Sequence, residues 1–186
     1  MRVMFQECNV LISLDLSNYD TSKVTDMSFM FNKCNNLKNL NISSFDTKNV
    51  TDMKAMFQEC NILDKLDLSF FNTENVTDMN FMFNKCKYIT DLNISSFDTK
   101  NVTDMKAMFQ ECNNLDKLDL SSFNTKNVTD MSFMFNNCEK IKELNISSFD
   151  TKNVTDMSWM FGQCKNLNYL RFIFFSFMKN KKIEIC

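Results

Sequence analysis

Histidine is absent from this sequence, and with it go the commonest general base, the commonest metal ligand and the usual partner of a serine or cysteine nucleophile. Most hydrolase mechanisms are excluded on that ground. Proline is also absent and glycine occurs once, so left-handed turns are expected from Asn, Asp and Ser, whose short side chains bond the backbone nearby. Charge of one sign is missing too. The 21 Lys and Arg against 23 Asp and Glu leave a formal charge of −2 with no basic stripe, which excludes the electrostatic footprint of a nucleic-acid or anionic-membrane binder. No stretch at the start combines a basic segment, an apolar core and a small-residue cleavage site. What the chain does have is 44% hydrophobic residues over 186 positions, enough for one unit with a substantial core.

The hydrophobic residues are periodic. Cys8, Cys34, Cys60, Cys86, Cys112, Cys138 and Cys164 stand 26 apart without exception, as do Phe5 to Phe161 and Leu14 to Leu170. A superperiod of 52 lies over this step: "KAMFQEC" alternates with "FMFNKC" or "FMFNNC", and "LNISSFDT" with "LDLSSFNT". A half repeat over 1–10 is followed by six full repeats starting at 11, 37, 63, 89, 115 and 141, and 167–186 holds a partial repeat with a divergent hydrophobic tail.

Within a unit, "LKNLNISSF" at 37–45 alternates Leu40 and Ile42 with Asn41 and Ser43, which predicts a short half-buried strand. Val50, Met53, Met56, Phe57 and Cys60 fall at i, i+3, i+6, i+7 and i+10, one face of a helix at 100° per residue. Thr51 and Asp52 are its expected N-cap and acidic first turn, with "SFDTKN" as connecting loop. A lone unit has too little to bury to offset its ordering entropy. Stacked units turn each apolar position into a row shared between neighbours, the logic of a solenoid.

The pattern "L-x-x-L-x-[LI]-S-x-[FY]-[DN]-T" followed by "V-T-D-M-x-x-M-F-x-x-C" resembles the BspA-type leucine-rich repeat surface proteins, over residues 1 to about 170. The resemblance implies an α/β fold, a leucine-rich-repeat-like β/α solenoid with one short strand and one short helix per 26-residue repeat. It also implies a place on microbial cell surfaces, adhesion or host-protein binding, no enzyme activity and no catalytic residues. Both ends depart from the pattern. Met1 stands in the register of Met27 and Met53, so "MRVMFQEC" reads as a fragment or an internal start in a longer array. The tail "YLRFIFFSFMKNKKIEIC" reads as a hydrophobic capping strand or a frameshift product, and its apolar run is too short to span a bilayer. An uncapped solenoid end is an open sheet edge, so end-to-end self-association is expected.

Several constellations invite chemistry. The cysteine ladder lacks any C-x-x-C pair and reads as buried free thiols rather than as a metal array or disulfide stack, with Cys186 as the thiol to react first. Met pairs such as Met53 and Met56 read as core packing rather than a Cu(I) site. The rows Asp26, Asp52, Asp78, Asp104, Asp130, Asp156 and Asp20, Asp46, Asn72, Asp98, Asn124, Asp150 read as caps and turn formers rather than Ca²⁺ ligands. "NVT" at Asn49, Asn75, Asn101, Asn127 and Asn153, and "NIS" at Asn41, Asn93 and Asn145, match the glycosylation acceptor, and the capping role of Thr51 and its equivalents accounts for the first set without sugar. No cofactor, metal or catalytic residue is expected.

Two surface rows remain. Phe29, Ala55, Phe81, Ala107, Phe133 and Trp159 lie opposite the buried face of the expected helix, and the aromatic members Phe29, Phe81, Phe133 and Trp159 form either a convex partner surface or a packing seam against the neighbouring turn. Asp15, Asn41, Asp67, Asn93, Asp119 and Asn145 line the strand face, expected to be concave because helices take more width than strands. The function expected is a non-enzymatic protein- or glycan-binding scaffold of the adhesion type, with an end-to-end assembling structural repeat as the alternative.

Overall fold

The computed structural model describes residues 1–171; the tail proposed above as a cap, and Cys186, lie outside the described residues. Six strands form in chain order: β1 (Ser13–Asp15), β2 (Asn39–Asn41), β3 (Lys65–Asp67), β4 (Asp91–Asn93), β5 (Glu143–Asn145) and β6 (Tyr169–Arg171). They pair in parallel and in register as β1–β2, β3–β4 and β5–β6, with Leu14 opposite Leu40, Leu66 opposite Leu92 and Leu144 opposite Leu170. Each register shift is one repeat of 26 residues, so consecutive repeats stack as coils of a solenoid. Each strand is shorter than the sequence predicts, because the residue at its end turns the chain: Asn41 Oδ1 accepts the Ser43 amide at 3.2 Å, and Asp15 Oδ1 that of Ser17 at 2.9 Å.

The helix is not there. Among the described residues no helix forms, and the segments 27–34, 53–60, 79–86, 105–112 and 131–138 are successions of turns. Their amides divide between two destinations. Met27, Phe29, Phe31 and Lys33 donate to Asp52, Lys54, Met56 and Gln58 one coil on, at 2.7–3.0 Å, while Met30, Asn32 and Cys34 donate to the carbonyl three residues back. Every amide from 27 to 34 except that of Ser28 is used in this way, and Asp26 Oδ1 accepts the Ser28 amide at 2.8 Å. Asp52 does the same for Lys54 at 2.8 Å, so the residue expected in the acidic first turn of a helix caps a turn.

The cost of this arrangement is backbone strain. Phe29 (φ 56°), Lys33 (59°), Ala55 (51°) and Glu59 (61°) stand in the left-handed region, and the same two positions recur in every coil. Among the left-handed residues only Asn137 is of the kind the sequence reading assigned to that job; the rest are Phe, Ala, Lys, Glu, Gln, Trp and Val. A left-handed residue with a side chain costs about 1–2 kcal/mol. Those from Val3 to Asn137 offset that cost by aiming their N–H at the next coil, as Ala55 does to Asn80 O at 2.9 Å and Lys85 to Gln110 O at 2.7 Å.

The burial expected for a helix nonetheless appears: Val50, Met53, Met56, Phe57 and Cys60 are all buried. Phe5 to Phe161 stack ring on ring, nearly coplanar in orientation, at centroid separations of 5.5–5.8 Å. Each thiol from Cys34 to Cys164 donates to the carbonyl of the Phe 29 residues earlier at 3.1–3.3 Å. Burial pushes the Cys34 thiol up to about 11 and that of Cys86 to about 12, which leaves both as neutral, inert core groups.

Candidate functional site

The turn side is stapled by side chains as well as by backbone. Gln6, Asn32, Gln58, Asn84, Gln110 and Asn136 form a chain of amide-to-amide hydrogen bonds of 2.8–3.3 Å along the solenoid, the kind of polar ladder that in-register stacking permits. It ends where Asn136 Nδ2 donates to the backbone oxygen of Gly162 at 3.0 Å. A Cβ on Gly162 would meet Trp159 Cε3 at 2.7 Å, so the single glycine makes room for the single tryptophan.

This geometry explains the superperiod. Adjacent coils are complementary rather than identical: Asn faces Gln in the amide ladder, Lys33 meets Glu7 at 2.9 Å and Lys85 meets Glu59 at 3.4 Å, and each Phe of the 29 row neighbours an Ala. Stacking like on like would place Lys on Lys and Phe beside Phe. The alternation also settles where the aromatic row lies. Ala55 and Ala107 are 1% exposed, flanked by Phe29, Phe81 and Phe133, which are half-buried; Trp159 stands 43% exposed. The row is a packed seam along its middle that opens at Trp159.

The strand side is tied together far less. Backbone bonds such as Leu16 N to Asn41 O (2.8 Å), Leu68 N to Asn93 O (2.9 Å) and Ile146 N to Arg171 O (2.8 Å) join coils in pairs, and among the described residues the segment 117–119 forms no strand and its amides make no backbone hydrogen bond. Phe123 and Phe149, on this side, stack at 6.4 Å rather than the 5.5–5.8 Å of the turn side. With no helix to widen the opposite side, the geometric reason for calling the strand face concave is gone.

The six residues Asp15, Asn41, Asp67, Asn93, Asp119 and Asn145 do line one face, but each spends a side-chain oxygen on the amide two residues on, at 2.9–3.3 Å. Those Ser amides hold the carboxyls of Asp15, Asp67 and Asp119 below the usual carboxylate range. Beside them are residues the sequence reading passed over. Ser13, Asn39, Lys65, Asp91, Lys117, Glu143 and Tyr169 occupy one register, and Ile12, Lys38, Asp64, Thr90, Asp116 and Lys142 the register before it. These two change at every step from one copy to the next, as does the register of Val10 just before them, while the buried rows barely change. That divergence was readable from the sequence alone.

A groove of about 680 Å³ opens where the sheet is interrupted, and Asp91, Asp116, Lys117, Glu143 and Tyr169 line it together with Asp119 and Asn145. Its floor includes Leu92 and Leu118, half-buried where Leu66 and Leu144 are buried. A smaller groove of about 380 Å³ lies over repeats 1–3. Among the described residues no group of three or more Cys, Asp or Glu side chains converges on a metal position, and no helix is long and apolar enough to cross a membrane. The Asn of the "NVT" sequons is engaged: Asn49, Asn75, Asn101, Asn127 and Asn153 donate to a carbonyl of the previous coil at 2.7–2.8 Å.

Solved structures similar to this chain include two leucine-rich proteins. One is a leucine rich cell surface protein of Faecalibacterium prausnitzii, 13% identical, covering 94% of this chain and 76% of that one with a TM-score of 0.40. Another is a leucine-rich repeat protein of Bacteroides ovatus, 12% identical over 93% of this chain and 63% of that one, TM-score 0.35. A third is a TLR13–ssRNA13 complex, 19% identical over 87% of this chain and 26% of that one, TM-score 0.44. A search of curated proteins finds no match. The repeats over residues 1–93 and 86–171 match one family, and the chain belongs to it: Mycoplasma protein of unknown function, DUF285.

Proposed function

We propose that the chain is a non-enzymatic binding scaffold of the adhesion type, displayed at a cell surface, whose strand side meets a protein or glycan partner. One observation carries this reading. The copies differ most at the largely exposed registers of Val10, Ile12 and Ser13, on and just before the strands, and stay nearly constant in the buried rows of the core. Structure alone demands no variety at those positions, since repeats with Ser, Asn, Lys, Asp and Glu there adopt the same strand. A catalytic site is not what this pattern resembles: no histidine exists to serve as base, and the thiols from Cys34 to Cys164 are buried, with burial raising those of Cys34 and Cys86 to about 11 and about 12.

The test is a binding screen of the immobilised chain against extracellular proteins and a glycan panel, run beside two variants. In one, Asp91, Lys117, Glu143 and Tyr169 are changed to Ser; in the other, Phe29, Phe81, Phe133 and Trp159 are. Loss of binding in the first variant alone supports the strand side, loss in the second alone moves the site to the aromatic row, and no binding by the parent chain overturns the reading.

A second reading, end-to-end assembly, has its own support. Along the turn segments each coil between residues 27 and 138 donates amides to the next coil, while Lys38, Thr51 and Thr77 donate to the previous one, so the two end faces of a stack differ and are complementary head to tail without any symmetry axis. A monomer by light scattering at high concentration removes it.

A further inference from the structure

We propose that the groove of repeats 4–7 takes an extended basic peptide segment, seating its arginine or lysine side chains at Asp91, Asp116 and Glu143 with Tyr169 as their aromatic platform; this rests on the binding-scaffold reading above. The groove holds about 680 Å³, within the range of sites that bury a ligand. Four carboxylates line it, on Asp91, Asp116, Asp119 and Glu143, against two ammonium groups on Lys117 and Lys142.

Eight acids elsewhere, Glu7, Asp46, Glu59, Glu74, Asp98, Glu111, Asp130 and Glu139, lie 2.8–3.9 Å from a lysine ammonium. Among the described residues none of the groove's carboxylates is in an ion pair. Asp119 Oδ1 serves the Ser121 amide at 2.9 Å, which leaves Asp91, Asp116 and Glu143 uncommitted and exposed. Tyr169, 54% exposed at the edge of the same groove, offers a ring face to a cation that the carboxylates attract. The half-buried floor of Leu92 and Leu118 suits the aliphatic stems of those same side chains.

The test is fluorescence anisotropy at low ionic strength with a labelled peptide alternating Gly and Arg, using the full chain. A peptide alternating Gly and Glu and a neutral malto-oligosaccharide are the competing probes. Asp116→Asn with Glu143→Gln is expected to weaken the arginine peptide about tenfold, and Tyr169→Ser to weaken it by several fold. Lys117→Glu is expected to tighten it, which misfolding could not mimic. The charge-matched pair Glu7→Gln with Glu59→Gln, on the turn side, leaves binding unchanged.

Equal loss in that control pair, or equal affinity for the glutamate peptide, overturns the proposal. So does saccharide binding that the groove variants abolish, although that result would leave the scaffold reading in place. Absence of every ligand in the broader screen would remove the scaffold reading itself.

Discussion

The two long sides of this solenoid are built from the same repeats and hold together differently. On the turn side every coil between residues 27 and 138 is bonded to its successor by backbone amides, a continuous amide ladder and a stack of Phe rings. On the strand side the coils join in pairs and the sheet breaks at 117–119. Stability is therefore concentrated where the sequence barely changes, and variation is tolerated where neighbouring coils ask little of each other. Binding surfaces are best placed on such a rigid frame, and this frame is rigid on one side.

That contrast can be broken from the turn side, with the largest effect at the ring stack. Phe83→Ala removes a ring packed between Phe57 and Phe109 at 5.7 and 5.6 Å and is expected to cost about 3–5 kcal/mol. Leu118→Ala on the strand side, already half-buried, is expected to cost about 1 kcal/mol; chemical denaturation midpoints compare the two. Next comes the ladder. Asn84→Ala strands the Gln58 amide, which donates to it at 2.8 Å, and the Gln110 oxygen, which accepts from it at 3.0 Å, for an expected loss of about 2–3 kcal/mol.

Alkaline pH acts on the turn side as well. Burial raises the thiol of Cys34 from 9.0 to about 11 and that of Cys86 to about 12. The unfolded state loses its thiol protons first, so stability is full below pH 9 and falls as pH rises from 9 toward 11 and 12, by about 1.4 kcal/mol per thiol per pH unit. A Cys86→Ala variant should show a shallower fall. Smallest is the backbone strain. Gln163 is exposed with φ 61°, and Gln163→Gly is expected to raise stability by about 1 kcal/mol. Asn145→Gly, at the end of β5, lowers it.

Much of the core was legible in the sequence, and the backbone was not. The spacing of Val50, Met53, Met56, Phe57 and Cys60 predicts which residues are buried, yet it cannot tell an α-helix from turns that reverse at the same pace, because both return a side chain to one face every three or four residues. What decides is where the amides go. A single repeat gives Phe31 N–H only the option of its own coil; the stack offers Met56 O at 2.9 Å, and the helix is lost to it. The left-handed residues were illegible for the same reason, since Phe29 and Lys33 carry no local signal for positive φ. The half-buried aromatic row becomes intelligible once Ala55 and Ala107 are seen as its neighbours across coils, a fact the 52-residue superperiod already held. The groove carries no repeat signal, because Asp91, Lys117, Glu143 and Tyr169 mark their register by failing to repeat.

Residue-resolved amide hydrogen exchange tests the central claim most directly, because it reads the two sides in one experiment. The account predicts strong protection at Phe57, Glu59, Phe81, Phe83 and Lys85, whose amides bond the next coil at 2.7–2.9 Å, and rapid exchange at Lys117, Leu118 and Asp119. Equal protection on both sides, or fast exchange at Phe81 and Lys85, would contradict it.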